Sequence, residues 1–92
     1  ALTADENSEA TLKVGGFLYL ESKGNKTGHQ GNNDVRNYGI QAVNGSKVDI
    51  TVNGKNEYGY GTVISTEGRY STAISSEDSS TELKLIDGGI YI

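Results

Sequence analysis

The chain has 92 residues, a formal charge of −4 and an isoelectric point near 4.8, and it contains no Cys, Met, Trp or Pro. The lack of cysteine excludes disulfides and thiol chemistry, and the eight basic residues, scattered among twelve acidic ones, argue against a nucleic-acid partner. At this length we expect one β domain or a barrel segment over residues 1–92, with residues 1–8 as a flexible N-terminal lead. The lead starts without Met, which predicts that it follows a removed signal peptide or an artificial boundary.

The first predicted element is a strand over residues 10–20. Its even positions carry Ala, Leu, Val and Gly, and its odd positions carry Thr, Lys, Phe and Tyr, so the two faces differ with the period of two that defines a strand. Extended from residue 9 to residue 21, it would span roughly 40 Å, enough for a tilted strand to cross a bilayer. The alternative is a long bent strand of a soluble sandwich, with a bulge or corner at Gly15-Gly16.

A polar loop is predicted next, over residues 22–34, where Gly and Asn are frequent. Residues 35–43 are either a short strand or an ordered part of this loop, because their alternation is poor and Gly39 interrupts it. Asn44-Gly45 then predicts a hairpin turn, since both residue types tolerate a positive φ.

A hairpin is predicted over residues 47–67. Residues 47–53 alternate between Val or Ile and polar residues, which indicates a strand, and residues 60–67 are its expected partner after a turn at residues 54–59.

The C-terminal part is predicted to hold a second polar loop at residues 69–80, with a strand end possible at residues 70–74. Residues 81–86 alternate as a further strand, and Asp87-Gly88-Gly89 predicts another turn. Residues 90–92 then begin a strand, which is either cut in the middle of a sheet or a short edge strand.

These elements together predict an all-β fold, an antiparallel meander of long strands that forms part of a transmembrane β-barrel, with a small β-sandwich as the alternative. No segment has helical periodicity, and no fixed-period repeat occurs, so a solenoid or a propeller is not predicted.

Three segments resemble the N-terminal part of a Gram-negative outer-membrane general porin, the sixteen-stranded diffusion type. Residues 9–21 resemble its first strand, residues 46–67 its second strand, periplasmic turn and third strand, and residues 80–92 its fourth strand with the turn into the fifth. The resemblance implies the lipid bilayer of a bacterial outer membrane, or the cell surface, as the location, and a homo-oligomer that would be a trimer in a porin. The constriction loop and the C-terminal aromatic strand of that family are missing from this chain.

The function predicted from the resemblance is passive diffusion of ions and small hydrophilic solutes. The alternative is a secreted or cell-surface β-sandwich, an adhesin or filament subunit that acts by loop binding or by self-assembly through strand edges. We expect no enzyme, no cofactor and no metal site, since His29 stands alone and no catalytic motif occurs. The residues predicted to line the pore are Thr11, Lys13, Glu21, Lys47, Asp49, Glu82 and Lys84.

Overall fold

The computed structural model describes residues 1–23, 36–68 and 70–92, and these ranges form nine strands. The loop predicted at residues 22–34 therefore lies mostly outside the described residues, as does His29. The strands are β1 (Leu2–Ala4), β2 (Glu9–Val14), β3 (Leu18–Lys23), β4 (Arg36–Val43), β5 (Lys47–Val52), β6 (Tyr60–Glu67), β7 (Tyr70–Glu77), β8 (Ser80–Leu85) and β9 (Gly89–Tyr91).

The strands stack into three parallel sheets, each built from every third strand of the chain. The first sheet has the order β1-β4-β7, the second β2-β5-β8 and the third β3-β6-β9. The chain thus winds through all three sheets three times, and we call β1–β3, β4–β6 and β7–β9 the first, second and third coils. This arrangement is a parallel β-helix, or β-solenoid.

The predicted fold class is wrong in its strand pairing. Every strand pair runs parallel, so the described residues contain no antiparallel meander, and the three separate sheets do not close into a barrel. The hairpin predicted over residues 47–67 is also wrong, because β5 lies in the second sheet and β6 in the third. The sandwich alternative needs two facing sheets, whereas the described residues form three.

The prediction of one long first strand is also wrong, because the residues belong to two strands in different sheets. β2 ends at Val14, the chain turns at residues 15–17, and β3 begins at Leu18 in a different sheet. A corner at Gly15-Gly16 was part of the alternative interpretation. The two-faced alternation continues across the corner because each strand keeps its apolar side toward the interior.

The predicted positions of individual strands agree better with the structure. Residues 47–53 and 60–67 correspond to β5 and β6, and the ambiguous residues 35–43 contain β4. Residues 2–4, within the lead expected to be flexible, form β1, and Ala4 is buried there against the core.

The core is a set of short stacks in which each coil contributes one side chain. Ile50 lies between Leu12 and Leu83, and Val52 lies between Val14 and Leu85. Six of the seven buried apolar residues belong to the second coil, because only that coil is covered on both sides. Those six residues are Ile40, Ala42, Val48, Ile50, Val52 and Ile64.

Candidate functional site

The side chains predicted to line a pore lie on the outer faces of the solenoid, while apolar side chains fill its interior. Six of the seven share the second sheet, where they form rows across the strands, and Glu21 lies on the third sheet beside Ser65. A role for them in a pore stays a prediction. The rows of the second sheet are Glu9, Lys47 and Ser80, then Thr11, Asp49 and Glu82, then Lys13, Thr51 and Lys84.

The charges on this outer face contribute little to stability. Lys47 Nζ lies 3.7 Å from Asp49 Oδ2, but the two side chains are 56% and 39% exposed, so solvent screens the pair. Asp49 also stands directly beside Glu82, a like charge on the neighbouring strand. The face is therefore a solvated surface of mixed charge.

The first corner, where the chain passes from the first sheet to the second, is joined from coil to coil by hydroxyl groups. It comprises residues 5–8, 44–46 and 78–79 in the three coils. The Ser8 N–H donates to Ser46 Oγ at 3.2 Å, and the Ser46 N–H donates to Ser79 Oγ at 2.9 Å. We call Ser8, Ser46 and Ser79 the serine ladder; Ser46, its central member, is only 2% exposed.

The backbone at the first corner adopts left-handed conformations in every coil. Asn7, Asn44 and Asp78 have φ values of 59°, 57° and 51°, and Gly45 has a φ of 78°. Asn and Asp tolerate this region better than other side chains, and Gly adopts it without steric cost. The positive φ predicted at Asn44-Gly45 is present, but the turn joins two sheets and not two strands of one hairpin.

The second corner lies between the second and third sheets, at residues 15–17, 53–59 and 86–88. The longest of these segments is organised by Asn56, whose Oδ1 accepts from the N–H groups of Tyr58 and Tyr60, both at 2.9 Å. Lys55 Nζ lies 3.5 Å from Asp87 Oδ1 in the next coil. This pair is half-exposed and adds little.

The two end coils leave strand edges open. Within the described residues, β1, β2 and β3 pair on one side only, as do β7, β8 and β9. We call these two surfaces the first-coil face and the third-coil face. Each presents unpaired backbone N–H and C=O groups together with the half-buried side chains of the core stacks.

Large apolar side chains near the third-coil face are exposed. Ile86 is 55% exposed, Ile90 40% and Tyr91 55%, although Tyr91 packs edge-on against the Tyr60 ring at 5.1 Å. At the other end, Phe17 and Tyr19 are 47% and 53% exposed. Large exposed apolar side chains thus occur in both end coils, although the most exposed one, Tyr58 at 76%, lies in a corner of the second coil.

Other kinds of site find no support in the described part of the chain. Residues 1–23, 36–68 and 70–92 contain no group of three or more His, Asp or Glu side chains placed to hold a metal ion. The same ranges contain no helix of the length and apolar character that a membrane span needs.

Comparison with known proteins gives no relative: no family model matches the chain, and neither a curated protein nor a solved structure matches it. The resemblance to porins is therefore neither supported nor contradicted, and it stays a prediction.

Neither the open coil faces nor the serine ladder was predicted from the sequence. A signal for the serine ladder exists, because each coil places a serine directly before six alternating residues. The three segments are S-E-A-T-L-K-V at residues 8–14, S-K-V-D-I-T-V at 46–52 and S-S-T-E-L-K-L at 79–85. Their unequal spacing hides them from a search for a fixed period.

Proposed function

We propose that the chain is a structural building block of a β-solenoid fibre or adhesin, secreted or held at the cell surface, and that it has no enzymatic activity. It works by pairing its open coil faces with further coils. The observation that carries this proposal is that both ends of the solenoid present unpaired strand edges and half-buried core side chains.

The character of the two faces supports pairing. Stable monomers protect sheet edges with Pro, bulges or inward-pointing charges, and solenoids end in coils with a polar outer surface. Here the side chains that reach the faces from the core include Leu12 and Val14 at one end and Leu83 and Leu85 at the other. The chain contains no Pro at all. Neither face is built to remain in contact with water.

The competing hypothesis is pore formation, and the strand arrangement on which it was based is not present in the described residues. It required long, two-faced, antiparallel strands, whereas the described strands are at most eight residues long and pair in parallel. The predicted pore-lining residues face outward from a filled core. We therefore put edge pairing first.

The proposal is tested by the behaviour of the purified chain in buffer without detergent. We expect a β-sheet circular dichroism spectrum, assembly that increases with protein concentration in sedimentation velocity, and elongated particles by electron microscopy. The Leu83→Lys variant, which places a charge at the third-coil face, should assemble much less. The matched control is Gln41→Glu, on the outer face of the second coil between Thr3 and Ser75, which should assemble normally.

Two results would contradict the proposal. A folded chain that stays monomeric at every concentration would show that its edges do not pair. A chain that stays in solution only with detergent and conducts ions across a planar bilayer would restore the porin hypothesis.

A further inference from the structure

The two coil faces differ from each other, and they are complementary. Because all strands are parallel, one face exposes the free edges of β1, β2 and β3 and the other exposes the opposite edges of β7, β8 and β9. Building on the proposed function, we propose that the partner is a second copy of this chain, with its first coil stacked on the third-coil face in the register that the coils already use.

Four pairs of apolar side chains meet when this register is continued. Within the chain, Leu12 aligns with Ile50 and Ile50 with Leu83, so the next position in the stack falls on Leu12 of the second copy. The same rule brings Leu85 to Val14. In the other two sheets it brings Ile74 to Leu2 and Ile90 to Leu18. Each of the four contacts joins two large apolar side chains that are incompletely buried in one chain alone.

The serine ladder continues across the same junction. Each coil donates a serine N–H to the serine hydroxyl of the next coil, from Ser8 to Ser46 and from Ser46 to Ser79. Ser79 would donate in turn to the Ser8 hydroxyl of the second copy. In the opposite direction, the Lys47 N–H donates to the Ser8 carbonyl and the Ser80 N–H to the Ser46 carbonyl. The Glu9 N–H of the second copy would therefore donate to the Ser79 carbonyl.

The outer rows of the second and third sheets fit this register with one exception. Tyr91 would stack beside Tyr19, two aromatic side chains that are each about half exposed. Glu82 would stand beside the uncharged Thr11. Lys84 would meet Lys13, a like-charged pair, but both side chains are exposed and long enough to diverge into solvent, where salt screens them.

The symmetry of this contact predicts the form of the assembly. A head-to-tail contact uses two different surfaces, so every added copy presents a fresh third-coil face and the assembly grows as an open filament. A two-fold contact between identical faces would instead pair the edge strands antiparallel, and by itself it would join only two chains. It would also abandon the parallel register found in all three sheets.

The experiment uses cysteine pairs, since the natural chain contains no cysteine. In the variant Thr11→Cys/Glu82→Cys both thiols lie on the exposed outer face. Within one chain the two residues are two strands apart, and their Cα atoms are separated by about 9.6 Å, which is too far for a disulfide. Across the proposed junction the two residues lie on adjacent strands. Oxidation with diamide, which takes up two hydrogen atoms as the two thiols form a disulfide, should give a ladder of covalent oligomers on a non-reducing gel.

The matched control is Thr11→Cys/Lys84→Cys. It removes one charge as well, but it shifts the second thiol by two residues, to a diagonal Cα separation of about 8 Å across the junction. It should remain almost entirely monomeric on the gel. Equal ladders from the two variants, or no ladder from the first while its circular dichroism spectrum is native, would overturn the inference.

The single variants Thr11→Cys and Glu82→Cys test the two-fold alternative. Efficient formation of disulfide dimers by Glu82→Cys alone would show that two third-coil faces are in contact. This result would contradict the head-to-tail arrangement. In that case the proposed function would stand, since edges still pair. A chain that stays monomeric throughout would end both proposals.

Hydrogen exchange on the unmodified chain provides a second measurement that needs no substitution. As the protein concentration rises, amides of β2 and of β8 should gain protection together, because each junction covers the free edge of one β2 strand and the free edge of one β8 strand. Protection of only one of these strands would contradict the head-to-tail arrangement.

Discussion

Thr62 is a polar residue in an apolar stack. It aligns with Leu18 on one side and with Ile90 on the other, it is fully buried, and its Oγ1 has no hydrogen-bond partner among the described residues. A buried hydroxyl without a partner has lost its hydrogen bonds to water without replacement. The methyl group of valine would fill the same space at no such cost.

We therefore expect Thr62→Val to raise the free energy of unfolding by about 1 kcal/mol. The measurement is the urea midpoint, with Thr51→Val as the control, because Thr51 is half-buried on the outer face and its replacement should change stability by less than about 0.5 kcal/mol. If Thr62→Val destabilised the protein, the hydroxyl would have to hold a bound water or another partner.

Gly39 is required by close packing. A Cβ at this position would lie 2.3 Å from Ile64 Cγ2 and 2.6 Å from the Ala73 carbonyl oxygen, and both distances are far below van der Waals contact. The backbone oxygen belongs to the adjacent strand β7 and cannot move without breaking the register between β4 and β7.

Gly39→Ala should accordingly lower the free energy of unfolding by about 1–3 kcal/mol, the usual cost of overpacking. Gly15→Ala is the matched control: a Cβ there meets nothing within 4 Å, so the change should be neutral or slightly stabilising. Equal effects on thermal unfolding in the two variants would show that the clash at Gly39 relaxes freely.

At the scale of the elements, the corners decide how one strand leads to the next. Asn56 holds the seven-residue corner between β5 and β6 by accepting from two backbone N–H groups. Without the side chain, those donors would depend on water, and the corner would lose its fixed shape.

Asn56→Ala should cost about 1–2 kcal/mol in unfolding free energy and speed amide exchange at Tyr58 and Tyr60. Lys55→Ala in the same corner removes only the exposed pair with Asp87, so we expect a loss below about 1 kcal/mol. The comparison fails if the lysine variant proves the more damaging of the two in chemical denaturation and exchange.

The strands themselves could be predicted from the sequence, but their partners could not. Alternation in residues 47–53 identified β5, since a strand with one buried face must alternate whatever it pairs with. Residues 60–67 do form β6, but they were predicted as the partner of β5 in a hairpin that does not form. The alternating pattern contains no information on parallel or antiparallel pairing. Asn44-Gly45 does form a corner, but positive φ occurs both in hairpin turns and in the corners of a coil, so it did not distinguish between them.

The coil spacing explains why the solenoid was not predicted. Glu9 pairs with Lys47, 38 residues later, whereas Lys47 pairs with Ser80, 33 residues later. The coils differ in corner length, so no single period describes them. The open faces were equally hidden, because an exposed edge depends on which strands lack a neighbour, and the sequence of one strand does not show this.

At the scale of the whole molecule, stability is centred on the second coil. Ile50 is 1% exposed between two covering coils, whereas Leu12 and Leu83 in the same stack are only half-buried. The same truncation should therefore have different costs along the stack, in proportion to the area that each side chain removes from water.

We expect Ile50→Ala to cost about 2–5 kcal/mol in dilute solution, and Leu83→Ala about half as much. Under conditions where copies stack, the cost of Leu83→Ala should rise toward that of Ile50→Ala, because the junction buries Leu83. Unfolding midpoints measured at low and high protein concentration check both statements. A cost for Leu83→Ala that does not change with concentration would place the junction elsewhere.

The second corner contains three residues in the first and third coils but seven in the second, while the strands on either side of it remain paired. Strand pairing therefore continues on both sides of the longer connection, with one register shift between β6 and β9 at Tyr60 to Thr62. Tyr58, at its tip, is 76% exposed. A foreign peptide grafted between Glu57 and Tyr58 would accordingly be displayed away from the solenoid body, and a stacked array of such chains would present it at regular intervals.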